Sequence, residues 1–268
     1  MAVITGGASG IGRALAHAFA ARGMHIVLAD IDEQRMRTVE VELSEGGTQV
    51  LPIVCDTSTE PSVQALAEAT MSHFGAAHVL CNNAGVVGKG DPWHGPISTW
   101  EWVLGINLYG VIHGVRAFVP IMEDQGCGHI VNTASMAGLL AMPGSAPYAV
   151  SKAGVVSLTE GLFVELKARS SAVSTSVLCP GFVKTNLMDG QQWTARLGDE
   201  PAATADPLGV MMESMLRDGV QAGIDAADVA AQVVEAIDTD RLWVITHADM
   251  APLAVQRMER AVAQENPA

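Results

Sequence analysis

The stretch TGGASGIG, Thr5 to Gly12, stands between a short β-type run at residues 2–5 and a helical pattern at 10–22. Ile11, Leu15, Ala18 and Phe19 share one face of that helix. A glycine turn between a strand and a helix lets the backbone approach a pyrophosphate closely. The helix start adds free N–H groups and the positive end of the helix dipole. The spacing T-G-x-x-x-G-x-G differs from G-x-G-x-x-G, and no Lys-Ser/Thr follows, so the phosphate loop of an ATP or GTP hydrolase is not expected. Taken alone, the turn leaves two readings equally open: nucleotide binding, or a tight turn whose glycines serve only the backbone.

Outward from the turn, apolar runs alternate with helical patterns. Strands are expected at 25–30, 49–54, 77–81, 129–134, 174–178 and 242–246, in addition to 2–5. Helices are expected at 34–44, 61–74, 98–123 and 148–168, the second opened by Thr59-Glu60-Pro61. Short apolar strands separated by helices indicate a mostly parallel sheet covered on both faces. Right-handed crossovers then give an α/β, doubly wound, Rossmann-type sheet of seven strands in one domain spanning 1–268. Only residues 186–225 break the alternation. That segment carries Gly190, Gly198, Pro201 and Pro207, with Met212–Leu216 as a candidate short helix, and a loop of this length points to function.

The chain has 268 residues, 49% hydrophobic and 16% charged, with a net charge of −14. That composition is globular, and the acidic balance disfavours nucleic acid and anionic membrane surfaces as partners. The longest uncharged stretch, 126–151, contains Asn132, Ser135, Pro143, Pro147 and Tyr148, which suits a sheet edge and loop better than a lipid-facing helix. No basic, then apolar, leader opens the chain, so a cytoplasmic protein is expected. Cys55, Cys81, Cys127 and Cys179 form no C-x-x-C, and the eight histidines do not cluster. Reduced cysteines and no metal are expected.

Asp30 ends the second strand, eighteen residues after Gly12. An acidic side chain near that offset accepts hydrogen bonds from a ribose diol and repels a 2′-phosphate. Ser9 and Ile31 stand where basic readers of that phosphate would be, and Arg13 and Arg35 fall at helical positions. NAD is therefore expected rather than NADP.

With TGGASGIG, Asp56, the NNAG at 82–85, Asn107, Ser135, Tyr148-x-x-x-Lys152 and Pro180-Gly181 followed by Thr185, the chain resembles the short-chain dehydrogenase/reductase family over about residues 2–247. One departure is the first strand, which begins almost at Met1 where many relatives carry a few more residues. The resemblance implies that Gly6, Ser9, Gly10, Ile11 and Gly12 hold the pyrophosphate, and that Asp30 and Ile31 frame the adenosine ribose. It implies Asp56 and Thr57 at the adenine, Asn83, Ala84 and Gly85 beneath the adenosine, and Pro180, Gly181, Val183 and Thr185 at the nicotinamide. Ser135, Tyr148 and Lys152 would be catalytic, with Lys152 also on the nicotinamide ribose and Asn107 holding a water that links Lys152 to solvent.

Removing a hydride from an alcohol must be coupled to loss of the hydroxyl proton. A free phenol has a pKa of about 10, so a tyrosinate base is scarce near neutrality. Tyr148 and Lys152 are four apart on one helix face, and the ammonium together with the positive nicotinamide of NAD⁺ is expected to favour the tyrosinate. Tyr148 then acts as general base in oxidation and general acid in reduction, while Ser135 bonds the substrate oxygen. The pocket segments 86–93, 136–142 and 186–225 are rich in Met, Leu and Trp, which suggests a hydrophobic secondary alcohol or ketone: terpenoid, steroid or aliphatic. Lys89, Lys184 and Arg196 lie nearby without forming a basic cluster.

The resemblance also implies a homotetramer or homodimer, with Ala153, Gly154, Val155, Leu158, Phe163 and Val164 as a contact face. Competing readings are an NADPH-dependent 3-oxoacyl reductase, which Asp30 disfavours, a sugar-nucleotide epimerase, and a non-catalytic NAD-sensing protein. The sensing protein is disfavoured by the presence of both Tyr148 and Lys152.

Overall fold

Seven runs rich in Val, Ile and Leu form one sheet in the computed structural model, which describes residues 1–88, 92–188 and 207–266. The strands are β1 (Ala2–Thr5), β2 (Ile26–Asp30), β3 (Val50–Val54), β4 (Val79–Asn82), β5 (Gly128–Thr133), β6 (Val173–Cys179) and β7 (Trp243–Ile245). Their order is 3-2-1-4-5-6-7. Every neighbouring pair is parallel, so the expected mostly parallel sheet is wholly so among the described residues. The strand order reverses between β1 and β4, and a crevice opens at such a switch point beyond the carboxyl ends of the strands. The pairing Ile4↔Cys81 brings the ends of these two strands, and the segments TGGASGIG and NNAG that follow them, side by side.

The two-residue period of a strand sends neighbours to opposite faces. Ile4, Leu28, Cys81 and Val131 pack with Leu15 and Phe19 of α1 (Gly10–Ala21), Met36 and Val39 of α2 (Glu33–Glu45), and Val229 and Val233 of α8 (Ala226–Asp238). Val3, Val27, Leu80 and Ile130 pack the other way, on Val63 and Leu66 of α3 (Glu60–Phe74) and Phe118 and Met122 of α5 (Gly110–Gln125). Val155 and Val156 of α6 (Ala146–Ala168) meet Val177 and Cys179 of β6.

The helix expected at 98–123 is three pieces: α4 (Ile97–Leu104), a π-helical turn at Gly105–Tyr109, and α5. Together they are long and apolar enough to cross a membrane by length and composition, but Val103, Phe118 and Met122 are spent on the core. The expected loop at 186–225 contains α7 (Pro207–Ala222), longer than the turn expected at Met212–Leu216. Lys89, Gly190, Trp193, Arg196, Leu197, Gly198 and Pro201 lie outside the described residues. α8 and the C-terminal α9 (Ala251–Val262) were not anticipated. Val155, expected on a subunit contact face, is instead fully buried in the core, whereas Val164 is exposed. Cys55, Cys81 and Cys179 are buried free thiols, and Cys127 is an exposed one.

Polar side chains stitch the middle of the sheet. Asn82 Nδ2 donates to Asn132 Oδ1 at 2.8 Å, and Asn132 Nδ2 donates to Thr159 Oγ1 of α6 at 3.1 Å. α5 reaches this ladder only because residue 114 is glycine: a Cβ there would lie 2.0 Å from Asn82 Oδ1. Gly114→Ala must therefore displace Asn82 and leave Asn132 short of a partner. It should destabilise the protein by roughly 1–3 kcal/mol in denaturant unfolding. A loss under about 0.5 kcal/mol, the ordinary scatter of surface changes, would contradict this packing.

Further along β5, buried His129 contacts Ser176 Oγ through Nε2 at 2.8 Å, and Ser176 donates to Arg241 O at 2.6 Å. The serine proton is thereby spent, so His129 Nε2 carries a hydrogen. Burial lowers the imidazole from 6.5 to about 4. The unfolded chain thus takes up a proton near pH 6.5 that the folded chain refuses until about 4. This part of the stability is whole above 6.5 and is lost as pH falls through that window, by up to about 3 kcal/mol. His129→Gln should flatten the stability–pH curve between pH 6.5 and 4. Equal slopes for the two proteins in denaturant titrations would contradict the assignment.

Candidate active site

The turn after β1 works because its glycines have no side chains. Gly6 and Gly10 lie in the left-handed region, at φ +64° and +50°. A Cβ on Gly12 would sit 2.0 Å from Gly6 O, so the helix start folds directly onto the turn. Ser9 caps α1 without using its side chain, which leaves the first-turn N–H groups to the crevice. Thr5 ties the turn to the NNAG segment. Its hydroxyl accepts from Asn83 N at 2.9 Å and Ala84 N at 3.1 Å and donates to Cys81 O. Asn83 Nδ2 returns a bond to Thr5 O at 3.1 Å.

A cavity of about 570 Å³ runs across this crevice. Gly6, Ser9, Gly10, Ile11, Asp30, Ile31, Asp56, Thr57, Asn83, Ala84, Gly85, Tyr148, Lys152, Pro180 and Thr185 all line it. Gly12, Asn107, Ser135, Gly181 and Val183 stand behind the wall. Asp30 sits at the end of β2 and accepts from Ala8 N and Asp32 N, each at 3.1 Å. Burial nevertheless raises its pKa above the ordinary carboxylate value.

The cavity also has walls the sequence did not announce. Trp102 and Ile106 line it from α4 and the π turn. No spacing rule marks them, because the π turn sets where that helix presents its side chains. Arg35, set aside as a helical position, lines it too, with Nε 3.2 Å from Asp32 Oδ2.

At the other end of the cavity, β5 delivers Ser135 and α6 delivers Tyr148 and Lys152. Ser135 caps a short 3₁₀ turn, accepting from Ala137 N at 3.1 Å and donating to Pro180 O at 3.4 Å. The Ser135 side chain favours ionisation of the Tyr148 phenol. Lys152 Nζ is 5.6 Å from the centre of the Tyr148 ring and donates to Thr133 O at 2.8 Å. Lys152 is 3% exposed, and burial lowers its pKa to about 8.

Burial raises the Tyr148 pKa, and the Ser135 side chain only partly opposes it. The apolar surroundings disfavour the phenolate by more than the nearby polar groups favour it.

Asn107 lies fully buried in the π turn. Its amide donates to Val86 O at 2.9 Å and Ser151 Oγ at 3.1 Å, and accepts from Val86 N at 2.8 Å. Both amide hydrogens are thus engaged with protein rather than displayed to the cavity. Val183 is buried and bridges to Ile224. Cys179, beneath Lys152 and Ser135, is pushed up to about 12 by burial and stays a thiol.

A buried ammonium is stored strain. Lys152→Met should therefore stabilise the fold by roughly 1–3 kcal/mol. Thermal and denaturant melts check this, and a variant less stable than the parent would show that the Thr133 contact outweighs the burial penalty.

The short chain dehydrogenase family matches residues 1–195. The chain is 35% identical to the 1-deoxy-11-beta-hydroxypentalenate dehydrogenase of Streptomyces exfoliatus, over 92% of this chain and 83% of that protein. It is 35% identical to the 2-(R)-hydroxypropyl-CoM dehydrogenase of Xanthobacter autotrophicus, over 88% of this chain and 89% of that one. Among solved structures, a short chain dehydrogenase/reductase from Burkholderia phymatum in complex with NAD superposes with a TM-score of 0.95 at 40% identity, covering 100% of this chain and 95% of that chain. A parallel sheet with its glycine turn at the switch point, a Ser–Tyr–Lys group at the far end of one cavity and these matches agree: the chain belongs to the short-chain dehydrogenase/reductase family of oxidoreductases.

Proposed function

We propose that the protein interconverts a hydrophobic secondary alcohol and its ketone with NAD, using Tyr148 as general acid and base. The observation that carries this reading is the pair at the cavity's end: Tyr148 and Lys152 both line the wall, with the ammonium 5.6 Å from the centre of the phenol ring and held there by Thr133 O.

The cavity fits a dinucleotide on its own evidence. Gly6 and Gly10 in its wall leave backbone facing the cavity, Gly12 behind them lets the helix start fold onto the turn, the start of α1 offers N–H groups, and Asp30 would meet the ribose. Asp56 and Thr57 would border the adenine, with Asn83, Ala84 and Gly85 beneath. Pro180, Gly181, Val183 and Thr185 would carry the nicotinamide end. When bound, the nicotinamide supplies the hydride acceptor or donor and, when oxidised, a positive charge.

Tyr148 moves the proton at the substrate oxygen. Its raised pKa keeps it protonated at neutral pH, the form that ketone reduction consumes. Alcohol oxidation needs the phenolate, which the Lys152 ammonium helps to stabilise. Oxidation should thus accelerate with rising pH and reduction should slow. Ser135 would bond the substrate oxygen by turning its hydroxyl away from the long 3.4 Å contact with Pro180 O, and Asn107 holds the π turn against Val86 and Ser151.

NAD is favoured over NADP by the Asp30 carboxylate and by the NAD-bound solved relative. Arg35 in the cavity wall favours some use of NADP, although Asp32 engages it. Val86 and Leu187 in the cavity wall support an apolar substrate of terpenoid, steroid or aliphatic type, while Met136, Leu139 and Leu140, expected in the pocket, pack on the core instead. We also assign the protein to the cytoplasm, as a single-domain subunit of a homodimer or homotetramer, with exposed Tyr109 and Val164 as apolar contact points on the helices beside the site.

A panel of hydrophobic alcohols assayed with NAD⁺ and NADP⁺ tests the substrate and cofactor. With the best substrate, Tyr148→Phe should keep dinucleotide binding while turnover falls at least about 100-fold, together with the alkaline rise in oxidation. Unchanged turnover in that variant, or a preference for small polyols, would sink the respective part of this reading.

A further inference from the structure

One peptide group joins Ser135 to the C-terminal part of the chain. The carbonyl oxygen of Pro180 accepts from Ser135 Oγ at 3.4 Å and from Met136 N at 2.9 Å. The N–H of the same peptide, on Gly181, donates to His247 Nδ1 at 3.1 Å. His247 follows β7 and lies outside the residues that line the cavity.

We propose that His247 is a positioning residue for Ser135, acting through the Pro180–Gly181 peptide. The inference rests on the assignment of Ser135 to the reacting oxygen.

Geometry restricts what His247 can be. A backbone N–H only donates, so Nδ1 is an acceptor and the ring carries its hydrogen on Nε2. The Thr246 hydroxyl, 2.8 Å from the same Nδ1, fits this tautomer as a second donor. The ring also lies flush on residue 181. A Cβ there would fall 2.8 Å from His247 Cγ and Nδ1 and 2.8 Å from Met250 Sδ. Met250 N in turn donates to His247 O at 3.0 Å, which ties the ring's backbone to the start of α9.

The peptide plane is thus held on both edges: Ser135 and Met136 on the oxygen side, His247 on the nitrogen side. If the nitrogen edge is released, the plane can rotate, and the oxygen that anchors the Ser135–Met136 turn moves with it. A side chain that only filled space beside Gly181 would not fix that rotation.

The test separates acceptor from filler. His247→Asn places Oδ1 where Nδ1 was and keeps an acceptor, while His247→Leu fills the volume without one. With NAD and the best alcohol of the panel, His247→Leu should lose about tenfold or more in kcat, as expected when a reacting group is misplaced. Its dinucleotide Kd should move less than about threefold, and His247→Asn should recover most of the rate. Retention of kcat within about twofold by His247→Leu, or an equal loss in both variants, would overturn the proposal.

Nitrogen-15 NMR of the ring in the wild-type holoenzyme provides a readout that does not depend on a variant folding. An unprotonated, hydrogen-bonded Nδ1 supports the proposal, and an Nδ1–H tautomer overturns it. If instead the wild type shows no turnover with any alcohol, or Tyr148→Phe keeps full activity, the reading of the site itself fails, and the NMR result alone decides the Gly181–His247 contact.

Discussion

The structure depends on how closely two chain segments approach at the point where the strand order turns. Thr5 Oγ1 takes the N–H groups of Asn83 and Ala84, and Asn83 reaches back to Thr5 O. Gly12 lies so near Gly6 O that even a methyl group has no room. These contacts close the gap between β1 and β4 to a groove lined by backbone. A parallel sheet leaves such a groove only where successive crossovers depart in opposite directions. Every other feature of the cavity is placed relative to it.

The opposite end of the cavity stores electrostatic tension. Lys152, Tyr148 and Cys179 are ionisable groups packed into apolar surroundings. Burial lowers the lysine and raises the phenol and the thiol, so all three move toward their neutral forms. Thr133 O beside the lysine, the Ser135 side chain beside the phenol, and Lys152 with the Ser135 backbone beside the thiol offset part of this cost. A charged or polar ligand entering the cavity therefore changes the protonation balance far more than it would on a surface, where water screens such effects.

The C-terminal part of the chain adds little to the sheet beyond the short β7, yet it braces the cavity from outside. α8 buries Val229 and Val233 against α1, His247 meets the peptide next to Ser135, and Arg257 Nη1 donates to Leu139 O at 2.9 Å. None of these contacts touches the cavity directly. Their effect is to fix the segments that do.

The sequence by itself determined the alternation of strands and helices, the glycine turn and the order of the site residues. Each is a local property: a period of two or 3.6, a missing Cβ, or a side chain at a strand's end. TGGASGIG, Asp30, NNAG and the Tyr148–Lys152 spacing were all legible for that reason. The extent of α7 was not, because its helical propensity competes with nearby glycines and prolines. The π turn was not either: it inserts one residue per turn into a pattern that reads as a continuous helix. Tertiary structure alone decided that Asn107 spends its amide on Val86 and Ser151, that Arg35 and Trp102 reach the cavity, that Val155 belongs to the core, and that burial raises the Tyr148 pKa. Each of these depends on what a distant segment places against the residue, and solvent exclusion is a property of the packed whole that no spacing along the chain encodes.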